Sequence, residues 1–229
     1  MNADQPQTKE KQYSELLDVK DKVGIANLGL MMNQVWYDDP RRLAFVLSRY
    51  KFVSKILSGK NKVAELGCGD AFGSRIVQQE VKELHVYDFD PIFIDDINSR
   101  QVDRWKLHAH LHDILLGGPL HEGPFDAIYS VDVMEHIEAE REHVYVTNLK
   151  NSLTEQGVLI VGMPSLESQA YASPQSKIGH VNCKSGKVLK ATLEKDFHNV
   201  FLFSMNDEVV HTGFSPMAHY LFAVCCGKK

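Results

Sequence analysis

A chain of 229 residues that is 44% hydrophobic has enough apolar content for one domain with a sizeable core. Its formal net charge of −5 gives no counterion-release attraction to a polyanion, so composition argues against nucleic acid and acidic membrane surfaces as partners. No apolar run approaches the roughly 20 residues that cross a bilayer, and the first residues lack the apolar core of a secretion signal. The four cysteines, Cys68, Cys183, Cys225 and Cys226, show neither CxxC spacing nor the density of a disulfide scaffold. A cytoplasmic protein with structural thiols is expected.

Taken in chain order, residues 1–12 are polar and expected to fray. Residues 13–57 read as mostly helical: Leu43, Val46, Leu47, Tyr50, Val53 and Leu57 recur near the 3.6-residue period, Pro40 fits a first turn, and Ser58-Gly59 ends the pattern. Apolar segments at 63–66, 84–87, 105–111, 127–130 and 158–162 are separated by helical or turn-rich sequence, which implies parallel βαβ units. After a helix over 186–197, strand-like runs at 200–205 and 219–225 have only a loop between them and predict an antiparallel hairpin. The expected architecture is one α/β domain over 1–229. A helical extension or lid over 1–60 precedes a Rossmann-like core over 61–229, with a seven-stranded, mostly parallel sheet, an antiparallel C-terminal hairpin strand and helices on both faces.

The most informative stretch is residues 62–74, KVAELGCGDAFGS. An apolar strand opens onto Gly67 and Gly69, which let backbone approach a ligand closely, and a helix follows. About twenty residues later Asp88 ends the next strand, placed to accept hydrogen bonds from both hydroxyls of a ribose. Such a turn can also be purely structural, but the turn and the acid together are far more specific than either alone. Two carboxylates, Glu65 and Asp70, flank the turn. They would repel a pyrophosphate and suit a ligand with a cationic end.

On these residues the chain resembles the class I S-adenosylmethionine-dependent methyltransferases. Glu65-Leu66-Gly67-Cys68-Gly69 is similar to their first motif, and Val86-Tyr87-Asp88-Phe89-Asp90-Pro91 to their second. The resemblance implies S-adenosyl-L-methionine as cofactor, with Asp88 and Phe89 at the ribose and His112, Asp113 and Ile114 at the adenine, Asp113 receiving the amino group. Ser130, Val131 and Asp132, after a segment resembling the fourth strand of that fold, would line the methionine end. Ala71 stands where the family usually carries a third glycine.

Methyl transfer needs a general base only when the acceptor arrives protonated. His136, at the exit of the fourth strand, and His180, in the long segment 164–183, are the candidates; each can equally be an ordering or solvated loop histidine. Segment 164–183 also carries Tyr171 and is long enough to act as a lid. Loop 206–216 carries His211, a weaker base candidate, and is expected at the substrate rim or in a homodimer contact. Trp36 and Tyr37 read either as core anchors or as a lid over the sulfonium, with Arg49 holding a carboxylate. His180 and Cys183 alone do not make a zinc site. No DPPY-like tetrapeptide, Pro-Cys nucleophile or catechol-type metal constellation is present. A metal-independent enzyme O-methylating a sugar or other small metabolite is expected. An RNA or protein acceptor, or binding without turnover, is the alternative.

Overall fold

The computed structural model describes residues 8–229, so the first seven of the residues expected to fray lie outside the described residues. The expected helical N-terminal stretch is three helices, α1 (Ser14–Val23), α2 (Leu30–Asp38) and α3 (Arg41–Ile56). Then follow β1 (Lys62–Leu66), α4 (Ser74–Gln78), β2 (Glu83–Asp88), α5 (Pro91–Ser99), β3 (His108–Leu111), β4 (Phe125–Val131), α6 (Glu142–Asn151) and β5 (Leu153–Pro164). The chain closes with α7 (Pro174–Gly179), α8 (Gly186–Leu193), β6 (Phe197–Asn206), β7 (Val209–His211) and β8 (Tyr220–Lys228).

The strands form one sheet in the order β3-β2-β1-β4-β5-β8-β6-β7. The first five run parallel, and β8 enters antiparallel between β5 and β6. Alternation along β1 sends residues to two cores. Val63 clusters with Val53 of α3, Leu57 just after that helix, Val77 of α4 and Ile94 and Ile97 of α5. Ala64 and Leu66 pack on the other face with Tyr145 and Leu149 of α6 and Leu189 and Leu193 of α8. A fully buried leucine such as Leu149 contributes roughly 1.5–3 kcal/mol. Helix starts follow local chemistry: the Asp90 side chain accepts from Ile92 N–H ahead of Pro91, and Ser173 caps α7 ahead of Pro174.

Three expectations change. The strand predicted from residue 105 begins only at His108, because Trp105 sits in a 3₁₀ turn with the Arg75 and Arg104 guanidinium groups over its ring. The Gln101 side chain closes that turn by bonding both the N–H and the carbonyl of Leu107. Loop 206–216 is not free of structure. Asp207 and Glu208 make a two-residue turn, with Asp207 at φ 51°, and β7 folds back on β6, so the sheet has eight strands rather than seven. The helix predicted to 197 stops at Leu193, and Phe197 already begins β6. Among the described residues, no helix is long and apolar enough to cross a membrane.

Candidate active site

The glycine turn follows β1 and meets the carboxyl ends of β2 and β4, the side on which open parallel sheets bind ligands. Gly67 and Gly69 have φ of 74° and 52°, which favours glycine. A Cβ on Gly67 would strike Val133 and one on Gly69 the Met31 sulfur. Ala71, in place of the third glycine, keeps a left-handed φ of 52° and donates its N–H to the Cys68 carbonyl. The turn therefore retains its shape without that glycine. The Cys68 thiol beside it is buried, which pushes its pKa well up and leaves it a packing group.

Asp88 is 5% exposed and braced from two sides: Gly69 N–H donates to Oδ2 at 2.9 Å and Asp90 N–H to Oδ1 at 3.0 Å. Burial raises its pKa, and the backbone donors oppose that shift. Phe89 beside it is 71% exposed. Asp113 accepts Leu115 N–H at 2.8 Å, His112 bonds the Gly118 carbonyl, and Ile114 is buried with its carbonyl held by the Asn148 amide. Ser130 donates to the Leu66 carbonyl across β1 and β4, Val131 is buried, and Asp132 turns out of the strand at φ 59°.

The two acids flanking the turn face inward rather than toward a ligand. Glu65, 1% exposed, accepts hydrogen bonds from the hydroxyls of Tyr50 (2.8 Å), Tyr129 (2.6 Å) and Ser74. Burial lifts its pKa to about 7 against those three donors. Alternation in β1 places Glu65 on the α3 face, so its carboxylate ties that helix to the core. This corrects the expectation that it meets a cationic ligand end directly. Asp70 Oδ2 accepts Met32 N–H at 2.8 Å, and Oδ1 accepts Phe72 N–H at 3.1 Å. Asp70 thereby acts as a distant cap for the N-terminus of α2 and holds that helix against the glycine turn.

The base candidates fare differently. The His136 and His180 rings lie edge to face with centroids 5.2 Å apart. His136 Nδ1 bonds the Gly179 carbonyl at 2.8 Å and His180 Nδ1 bonds Gln169 Oε1 at 2.9 Å. A carbonyl oxygen only accepts, so both rings donate Nδ1–H, and in a neutral ring Nε2 then carries the lone pair. Burial, and then His136, hold the His180 pKa below its ordinary value. His211 sits instead on the edge strand β7, engaged with Asn206 and Gly213. Tyr37 and Tyr171 are 87% and 91% exposed, so neither closes over a ligand in this state. Arg49 is committed as well. Its guanidinium pairs with Asp132 at 2.5 Å and lies 4.0 Å from the centre of the Tyr220 ring.

Sequence reasoning missed Glu135. It is fully buried, neither carboxylate oxygen has a hydrogen-bond partner, and burial followed by the Asp132 charge drives its pKa well up. Its backbone carbonyl accepts from Val181 and Asn182 N–H, which pins segment 164–183 to the exit of β4. The only sequence signal was its place directly before His136.

The fold is that of class I S-adenosylmethionine-dependent methyltransferases. Residues 64–159, running from the first strand through the start of β5, match a family model described as a methyltransferase domain. Solved structures agree on the fold. The N-methyltransferase NodS from Bradyrhizobium japonicum WM9, in complex with S-adenosyl-L-homocysteine, is 20% identical with a TM-score of 0.58 over 84% of this chain and 90% of its own. The methyltransferase domain of bacterial CtHen1 is 14% identical at 0.66, over 80% and 99%. A TehB-like SAM-dependent methyltransferase from Corynebacterium glutamicum is 16% identical at 0.61, over 85% and 97%. No curated protein sequence matches the chain.

Proposed function

We propose that this chain transfers the methyl group of S-adenosylmethionine to a hydroxyl of a small-molecule acceptor such as a sugar. The Asp88 carboxylate carries the cofactor half of this reading. A carboxylate offers about four lone-pair positions, and backbone N–H groups occupy two at Asp88, which leaves one on each oxygen for the two ribose hydroxyls. Asp113 spends one oxygen on Leu115 and keeps the other for an adenine amino group. Gly67 and Gly69 present bare backbone to the ligand, and Ser130 and Asp132 flank the methionine end.

The bound sulfonium supplies an already activated methyl group, so the protein's work is alignment and exclusion of water. A hydroxyl acceptor must lose its proton. The free Nε2 lone pairs of His136 and His180, beside the Asp132 and Glu135 carboxylates, form a set of acceptors for it at the exit of β4. The acidic net charge of −5 further favours a small neutral acceptor over a polyanion.

Incubating the protein with S-adenosylmethionine and a panel of polyhydroxylated small molecules, amines and RNA tests the reading. Release of S-adenosylhomocysteine with hydroxylated compounds alone supports it. Turnover confined to RNA or to amines overturns the acceptor class while leaving the methyltransferase intact.

A further inference from the structure

A buried carboxylate that makes no hydrogen bond costs several kcal/mol unless a cation or a proton compensates it. Glu135 is such a group, and its position is fixed by the two backbone donors on its carbonyl. One donor atom each from Glu135, His136 and His180 lies within 4.8 Å of the other two. Metal–nitrogen and metal–oxygen bonds of about 2.0–2.2 Å bring ligand atoms to about 3–4 Å of one another, so small side-chain rotations would close the set.

The outer contacts of both histidines match what metal ligation requires. Each ring donates Nδ1–H to a carbonyl-type oxygen, Gly179 O for His136 and Gln169 Oε1 for His180. Such bonds fix the tautomer, aim the ring and leave Nε2 to bind a metal. The third and fourth neighbours do not compete. Asp132 is held by Arg49, and Lys184, the nearest buried cation in sequence to Cys183, is paired with Glu142 at 2.6 Å. No lysine or arginine is therefore bonded to the Glu135 carboxylate.

We propose that Glu135, His136 and His180 form a binding site for one divalent transition-metal ion at the exit of β4. Two imidazoles and one carboxylate select the borderline ions manganese, iron, cobalt or zinc over calcium and magnesium, which prefer all-oxygen shells. Three protein ligands leave coordination positions open. On the reading that the acceptor is a hydroxyl compound, which this part of the inference rests on, those positions take the acceptor oxygen and lower the pKa of its proton, and the two imidazoles then serve as metal ligands in place of their proposed role as bases. The enzyme would then depend on metal, contrary to the expectation from sequence.

Titrating the full-length, chelator-treated protein with Co²⁺ and following visible absorption gives a direct readout that needs no turnover. One equivalent should produce a d–d band. Glu135→Gln and His180→Ala should each abolish the band or weaken binding at least 100-fold, and Gln169→Leu should weaken it about 10–100-fold through the lost outer contact. Absence of a band in the wild-type protein, or wild-type affinity in both Glu135→Gln and His180→Ala, overturns the site. Circular dichroism identifies any variant that fails to fold, in which case the other decides. S-adenosylmethionine binding by the metal-free protein is measured on the same sample. Binding without a cobalt band removes the metal and keeps the methyltransferase, whereas a band without cofactor binding does the reverse.

Discussion

Replacing Asp88 with alanine probes the cofactor assignment at its most constrained point. The carboxylate spends one lone pair on Gly69 N–H and one on Asp90 N–H and has two left for a ribose. Losing hydrogen bonds to a charged group costs about 1.5–3 kcal/mol of binding, which raises Kd roughly 10- to 150-fold. The same change strands two backbone donors in a site where Asp88 is only 5% exposed, at about 1–3 kcal/mol for each that finds no water. A domain of this size loses about 2–4 °C in Tm per kcal/mol, so the variant should melt several degrees lower while remaining folded at 25 °C. Isothermal titration with S-adenosylhomocysteine and a thermal melt measure the two effects separately. Affinity within twofold of wild type, in a variant whose melt shows the expected destabilisation, would refute the ribose assignment.

Other outcomes follow from the same geometry. Tyr129→Phe removes one of three hydroxyl donors to the buried Glu65 carboxylate and should cost about 1–3 kcal/mol in a denaturant melt. Arg49→Met leaves Asp132 unpaired and Tyr220 without its cation, so a loss of about 1–3 kcal/mol is expected, with Tyr220 ring signals shifted. Gly67→Ala forces an unfavourable φ of 74° and a clash with Val133, and should reduce both cofactor affinity and Tm. His110, stacked on Tyr87 and His85, has its pKa pushed down to about 4, first by burial and then by His121 and His85. Because its folded pKa lies below the unfolded 6.5, its contribution is fully present above about pH 6.5 and is lost as pH falls toward about 4. His110 is partly solvated, so the loss should be about 1 kcal/mol. The Tm difference between wild type and His110→Asn should shrink over that pH window; a constant difference would show that the stack does not titrate.

Much of this architecture was legible because it is local. The buried run 63–66 and the glycine turn predict β1 and its exit, and Asp88 ends β2 as its spacing implied. Asp132, His136 and His180 do meet at one end of the sheet, although His180 lies 44 positions beyond His136 in the chain and its approach depends on the Glu135 carbonyl. What sequence could not supply are partners fixed by packing. Glu65 and Asp70 read as ligand-facing acids, yet one binds three hydroxyls and the other caps a helix 38 residues away. Arg49 read as the holder of a carboxylate under a lid, but which carboxylate was not legible: α3 carries it onto Asp132. Strand β7 escaped notice because its turn, Asp207-Glu208, lacks the glycine or asparagine that usually marks a two-residue hairpin.

The central claim is that the carboxyl edge of β1, β2 and β4 binds S-adenosylmethionine for methyl transfer. Isothermal titration of the purified full-length chain tests it most directly. Saturable binding of one equivalent of S-adenosylmethionine, displaced by S-adenosylhomocysteine and weakened at least tenfold in Asp88→Ala, is the predicted result. No detectable binding of either compound to a folded protein would contradict it.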